Sequence, residues 1–524
     1  MIDFDEEKID QIFAHLDQCH KPGAAVGIAI GGKPVYRKGF GLASIELPVV
    51  LSPSMRMRIY STTKHFTCLA YLLLCEEGLA RLDDPVGRYL PELHPSSHPV
   101  TIRHLMGHTG GLCDAHDILW HFNGLGGATN SAQVLAFYRD FDHLNFAPGT
   151  NWCYNNGGYL LLTAVVERIT GLSLEEVFRE RILGPVGMHN SLLRRVDTGF
   201  VANSATMHMV DSKGQYDRST MGTATAGEGG LVSTVDDMLR WLAHMDAPVV
   251  GSPASWALMK KPQTLSNGTS TGYGLGLLIG RYRSVDILYH PGGGFGANSQ
   301  MLKVPCAGLD IVVMVNRHDV SAVTLADAIL DALLPNLKPV EEVCERRMVS
   351  GTFRSAMTSR VLHLFGQHGK QFASIDGTNV PLSSDRDGML RPAGALGHMK
   401  WELSTMGDRE HPDSIQSRDF GNSDEWLRVE PGEGQDALAI AGRYRSAATA
   451  TDATIRDTER GPELTTVGRF GSMTYILESL GGGIWRTQPA IPDFLAAILS
   501  FDREGAGFCF STLRTRALPF CRSS

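Results

Sequence analysis

Ser61 and Lys64 stand three residues apart at the head of an apolar run, a spacing that puts a hydroxyl and an amine on one face of a helix. At a helix start, the unpaired N–H groups and the positive dipole end disfavour a further positive charge. Burial pushes Lys64 the same way, towards a neutral amine that can take the Ser61 proton. Downstream, Pro148 to Gly157 is a turn-rich loop running into a helix and offers Tyr154, a proton carrier, and Asn156, an amide that both donates and accepts. A third stretch, Tyr289-His290-Pro291-Gly292-Gly293-Gly294-Phe295-Gly296, reads as a strand edge. Its glycines let a ligand approach the backbone, so an N–H there can meet a developing oxyanion, and Pro291 favours an edge over a central position.

These groups need elements to hold them. Ala24 to Ile30 and Pro34 to Phe40, joined by Gly31-Gly32-Lys33, predict a hairpin ahead of Ser61. Phe66, Leu69, Ala70, Leu72 and Leu73 give the Ser61 helix a broad apolar face, the mark of a buried helix ending near Gly78. Further helices are expected over Tyr159 to Ile169, Val235 to His244 and Ser321 to Leu334, with a strand over Asp310 to Val315. Pro335, Pro339 and the charged stretch Glu341 to Arg347 read as a linker, after which short alternating segments replace helical periodicity. Two fragments, Ser350-Gly351-Thr352-Phe353-Arg354-Ser355 and Ala441-Gly442-Arg443-Tyr444-Arg445-Ser446, share the form small-Gly-x-aromatic-Arg-Ser. Their separation suits two related all-β units, each a compact barrel. The expected division is 1–335, 345–435 and 436–524.

At 524 residues the chain is too long for one core, and a net charge of −8 without a Lys/Arg block gives no sign of a nucleic-acid or membrane partner. The acidic start Met1 to Glu7 lacks the basic, apolar form of an export signal, and the Ala24 to Ile30 run is far too short to span a membrane. Nine cysteines without a C-x-x-C pair suit reduced thiols, Cys153 among them as a small packed residue, and a cytoplasmic location. His104 and His108 stand at i and i+4 but lack the glutamate of a zinc-protease helix, and no phosphate-binding glycine loop is visible, so neither metal nor cofactor is expected.

Taken together in this order, the Ser61, Tyr154 and His290 motifs resemble those of the penicillin-recognising serine hydrolases: class C β-lactamases, DD-peptidases, related esterases and D-aminopeptidases. Thr101 to Leu112, Ala226 to Thr234 and Tyr273 to Leu277 look like the same family. The resemblance covers most of residues 1–335 and implies an α+β catalytic domain, an antiparallel sheet plus a helical subdomain. It implies that Ser61 is acylated, Lys64 accepts its proton, Tyr154 serves the leaving group, Asn156 holds the substrate amide, and Ser61 and Gly293 N–H groups form the oxyanion hole. Gly292 and His290 complete the substrate-binding edge. His290 and Pro291 stand where β-lactamases and DD-peptidases have the lysine and threonine of a Lys-Thr-Gly triad, which turns the expectation away from β-lactams. The two β units favour the D-aminopeptidase branch, where a loop of the last barrel reaches the active site and helps select a free amino group; the stretch that looks equivalent, Val467 to Tyr475, contains no carboxylate. The implied activity is release of N-terminal D-amino acids from peptides, amides or esters by a homodimer, with a D-amino-acid amidase or carboxylesterase as alternatives. A β-lactamase, a DD-peptidase or a non-catalytic binding protein follows further behind.

Overall fold

The strand Ala24–Ile30 alternates small with branched side chains because its two faces meet different neighbours. Ala25 and Ala29 join the core formed with the helix Val235–His244, while Ala24, Val26 and Ile28 join a second core with Ile9, Phe13 and Ile329. Gly27 allows the closest approach: a Cβ there would stand 2.4 Å from Val235 Cγ1 and 2.9 Å from Leu239 Cδ1. Period-two alternation therefore lets one helix lie almost on the backbone of the sheet. In this computed structural model the described residues are 2–124, 131–197, 199–211, 213–220, 224–335, 337–339, 348–385, 388–393, 400–406, 411–429, 440–488, 496–502 and 505–523.

Ala24–Ile30 belongs to a six-stranded antiparallel sheet in the order Leu278–Tyr282, Val285–Gly294, Ala297–Val304, Leu309–Val315, Ala24–Ile30, Lys33–Phe40. Helices Glu6–Phe13 and Ala322–Leu333 cover one face, which is why every residue of Leu309–Val315 is buried. A helical subdomain, built round Lys64–Glu76 and Asn156–Thr170, packs on the other. The expected elements are all present, with ends shifted by a few residues. Ser61 itself sits in a 3₁₀ turn, Tyr60–Thr63, that leads into the helix at Lys64.

The described strands from 351 onward form two closed, eight-stranded antiparallel barrels. The first opens with Gly351–Ser355 and closes by pairing Thr352 with Val429; the second opens with Gly442–Ser446 and closes by pairing Tyr444 with Arg522. The two echoed fragments are thus the opening strands of the two barrels. The expected linker Glu341 to Arg347, and with it the boundaries at 345 and 435–436, lies outside the described residues. Among the described residues no helix is long and apolar enough to cross a membrane, and the described cysteines are free thiols.

One helix joins the catalytic domain to the second barrel. Along Ala115–Asn123, Ile118 and Phe122 share a face and enter the same cluster as Tyr444, Phe501 and Phe510, while His116 and Trp120, also four apart, face the region of Ser61. The Val467 to Tyr475 stretch docks at the end of this helix. It consists of two strand ends and a tight turn, whose Phe470 N–H donates to Asn123 Oδ1 at 2.8 Å. Gly471 is required there, since a Cβ would lie 2.3 Å from the Asn123 carbonyl oxygen.

Candidate active site

The Ser61 turn is clamped from three sides. Ile59 N–H donates to the Leu231 carbonyl, Ser299 Oγ donates to the Ile59 carbonyl, and Thr62 Oγ1 donates to the His290 carbonyl. Tyr60, immediately before the serine, takes the left-handed conformation at φ 45°, a strained geometry for a residue with a large side chain. Its hydroxyl donates to the Phe295 carbonyl, and its ring fills the space beside Gly294, where a Cβ would lie 2.3 Å from a ring carbon. Two of the glycines after His290 therefore have packing reasons: Gly294 admits Tyr60, and Gly292 lies where a Cβ would be 2.0 Å from the Ile59 oxygen. Gly293 meets nothing within 4 Å and faces open space. Since Leu278–Tyr282 pairs only as far as Tyr289, residues 290–294 form the local edge expected from Pro291.

Lys64 is fully buried. Its Nζ donates to Asn156 Oδ1 at 2.9 Å and to the Glu228 carbonyl at 2.7 Å, and lies 3.3 Å from Ser61 Oγ. A neutral amine has two N–H bonds and one lone pair. Both acceptors are amide-type oxygens, so the lone pair remains for the Ser61 hydroxyl. Burial lowers Lys64 to about 7; Glu228 and Asp114 oppose the shift and Arg514 assists it. The amine is thus poised to gain and lose a proton near neutral pH.

Tyr154 packs above this pair, with Lys64 Nζ 4.8 Å from its ring centre. Burial raises the pKa of its hydroxyl, and the Ser61 hydroxyl and Arg514 pull it back. Its hydroxyl is buried beside that of Ser61, whose hydrogen bonding eases the cost of ionising it. The loop is held by His108, whose Nδ1 accepts from the Asn155 N–H at 3.1 Å and whose ring sits among Trp152, Tyr154, Tyr159 and Tyr273. Asn155 caps the next helix, its Oδ1 accepting from Gly158 N–H.

His290 lies in the cleft wall with both ring nitrogens engaged. Nδ1 faces the Pro291 carbonyl at 2.7 Å and must donate to it, which leaves Nε2, 2.9 Å from the Tyr273 hydroxyl, as the acceptor. It braces the glycine strand against Tyr273.

Sequence reasoning missed Asp114, Glu228 and Arg514. Asp114 caps the Ala115–Asn123 helix and also accepts from the Asn156 and Gly157 N–H groups, tying two helix starts together. Arg514 arrives from the second barrel and pairs with Asp114 at 3.1 Å, its guanidinium 5.3 Å from the Tyr154 ring centre. The barrel loop that lines the cleft is 512–517, while Val467 to Tyr475 holds the end of the 115–123 helix and packs Met473 against the cluster of Tyr60, Trp120, Met207 and Phe295. Thr512 and Thr515 hydroxyls donate to Asp117, and Asn145 accepts from Arg516 N–H and donates to the Arg514 carbonyl. Arg514 carried no local signal, being 400 residues from its partner. Asp114 had one, an acidic cap before an apolar run.

A cleft of about 1320 Å³ opens over Ser61 where the catalytic domain meets both barrels. Tyr154, His290, Phe420, Trp401 and Arg514 are among its walls. The first barrel contributes Phe420, whose ring lies 5.3 Å from that of Trp152.

A serine beside a buried lysine one helical turn away, below the edge of an antiparallel sheet, is the arrangement expected of serine hydrolases with the β-lactamase/transpeptidase-like fold, and this is the class of protein at hand. Residues 9–334 match the family model described as Beta-lactamase, and the chain belongs to that family. It is 27% identical over 429 residues to a D-aminopeptidase of Gluconobacter oxydans, covering 81% of this chain and 79% of the relative. It is also 27% identical over 447 residues to a D-aminopeptidase of Brucella melitensis, covering 83% and 82%. Among solved structures it resembles an octameric penicillin-binding protein homologue from Pyrococcus abyssi, with a TM-score of 0.59, 23% identity, and coverage of 81% of this chain and 100% of the other. A D-amino acid amidase from Ochrobactrum anthropi gives a TM-score of 0.53 at 22% identity, over 62% of this chain and 97% of that one.

Proposed function

We propose that this serine hydrolase is a D-aminopeptidase. Ser61 Oγ attacks the carbonyl of an N-terminal D-residue as its proton passes to Lys64, and the Ser61 and Gly293 N–H groups hold the oxyanion. Tyr154 delivers a proton to the departing amine, Asn156 binds the substrate amide with the NH₂ that Lys64 leaves unused, and His290 with Gly292 shapes the edge on which the substrate lies. Water then frees the D-amino acid from Ser61. The observation that carries the reading is the extent of the match to the two D-aminopeptidases, which runs over more residues than the catalytic domain holds and so extends into the barrels. The divisions 1–335, 345–435 and 436–524 are proposed as the domains. Free thiols support a cytoplasmic location, and a homodimer is proposed on family resemblance, to be read by sedimentation velocity.

The test offers purified protein D-alanine p-nitroanilide, its L-enantiomer, a short-chain nitrophenyl ester and a chromogenic cephalosporin. Rapid release from the D-anilide, slow release from the L-anilide and loss of both in Ser61→Ala are expected. Turnover of the ester alone would make the protein an esterase, and rapid cephalosporin turnover a β-lactamase.

A further inference from the structure

A second, smaller cavity of about 80 Å³ also opens on Ser61. Tyr60, His116, Trp120, Asn156, Glu228 and Arg514 are among the residues that line it. Among the residues lining it, Arg514 is paired with Asp114, and Glu228 is the one carboxylate. It is only 3% exposed, and among the described residues both its oxygens accept from one donor, the Ala226 N–H, at 3.0 and 2.9 Å. A carboxylate offers about four acceptor sites, and the described residues fill few of those on this buried one.

Independent features of the chamber point to the same kind of occupant. His116 is 2% exposed, and its Nε2 has no hydrogen-bond partner among the described residues. Trp120 and Tyr60 supply aromatic rings, which attract cations over their faces. The Glu228 turn is also rigidly placed: the Gly227 carbonyl accepts from Thr67 Oγ1, its N–H donates to Thr163 Oγ1, and a Cβ on Gly227 would lie within 2.8 Å of both side chains. The carboxylate is thereby fixed relative to the two helices that carry Lys64 and Asn156.

We propose that Glu228 is the specificity-determining residue of this site: its carboxylate holds the free α-ammonium group of the substrate in the chamber beside Ser61. This rests on the aminopeptidase reading and assigns the amine's partner, which the barrel segment Val467 to Tyr475 does not supply. N-acylated substrates are excluded, because the added group both removes the charge and overfills the chamber.

Glu228 also acts on Lys64, so the test compares substrates and not absolute rates. kcat/KM is measured for D-alanine p-nitroanilide and for propanoyl p-nitroanilide, which lacks only the amine, with the wild-type protein and with Glu228→Gln and Glu228→Asp at one pH. A change in Lys64 alters both substrates alike. The preference for the amine is expected to fall about 30-fold in Glu228→Gln, the scale of one charge-assisted hydrogen bond, and to recover in part in Glu228→Asp. Equal loss on both substrates would overturn the proposal and leave the aminopeptidase reading standing. Should the wild-type protein cleave neither anilide, that reading fails, and the chamber is tested through ester turnover with D-alaninamide and propanamide as competitors. Weaker inhibition by D-alaninamide alone in Glu228→Gln supports the amine site; unchanged inhibition overturns it.

Discussion

A lysine that serves as a base must be uncharged when the substrate arrives, and here burial does most of that work. With Lys64 lowered to about 7 from 10.5, kcat/KM is expected to climb through an acid limb near that value and flatten above it. Arg514→Met should move the limb to higher pH, because it removes a cation that disfavours protonated Lys64 and exposes Lys64 to the unpaired Asp114 carboxylate. A pH–rate profile of both proteins checks this, and an unshifted limb would mean that Arg514 does not act on Lys64. Linkage gives a second readout of the same shift. Between about 7 and 10.5 the unfolded chain binds the Lys64 proton and the folded one does not, so this residue's contribution to stability rises with pH across that window. Ser61, Lys64, Tyr154, Asn156 and His290 come together at one place, as the joint resemblance of their three short motifs to a known family implied. Asp114, Glu228 and Arg514 were not legible in the sequence, because their significance lies in which distant groups they face. Glu228 in particular looks like one more polar residue among glycines until its single donor among the described residues, the Ala226 N–H, is seen.

At the scale of elements, close approach is the recurring device, and glycine is its instrument in a few defined places. Gly27→Leu should overpack the sheet against Val235 and Leu239 and cost about 1–3 kcal/mol or more, read as a lower Tm or denaturation midpoint. The Ala115–Asn123 helix carries a different load, since its two faces serve a barrel core and the Ser61 chamber. Phe122→Ala should cost about 3–5 kcal/mol as a cavity in the barrel core. It should also raise KM for the anilide, because Trp120 is displaced with the helix. A loss of stability with unaltered KM would separate the two faces. Periodicity predicted the hairpin over 24–40, the strand over 310–315 and the helices after Ser61 and over 159–169, 235–244 and 321–334, each of which buries a face of regular spacing; it gave neither Ala297–Val304 nor Ala115–Asn123. It could not show that Ala115–Asn123 has two partners, because an apolar position looks the same whether it faces its own domain or a later one.

At the scale of the molecule, the barrels are working walls of the cleft. The first supplies Phe420 and Trp401, the second Leu513 and Arg514, and neither could be assigned to the site from composition. The echo between 350–355 and 441–446 revealed the repeated unit but not its docking, which depends on single contacts such as Thr512 with Asp117 and Asn145 with Arg516. A protein ending at residue 439, without the second barrel, should bare Ile118 and Phe122. It is expected to aggregate by light scattering and to lose anilide hydrolysis, even though Ser61, Lys64 and Tyr154 remain. Retained activity in such a protein would reduce the barrel to a passive appendage.

The 400-residue separation of Arg514 from Asp114 also orders events in time. During synthesis the nucleophile and its base emerge from the ribosome long before the arginine that completes their surroundings. A nascent or prematurely terminated chain thus carries a full set of reactive residues in an unfinished setting. On the proposed mechanism the hydrolase is armed only when translation has passed the second barrel, and its competence then reports that the barrels have been made and docked.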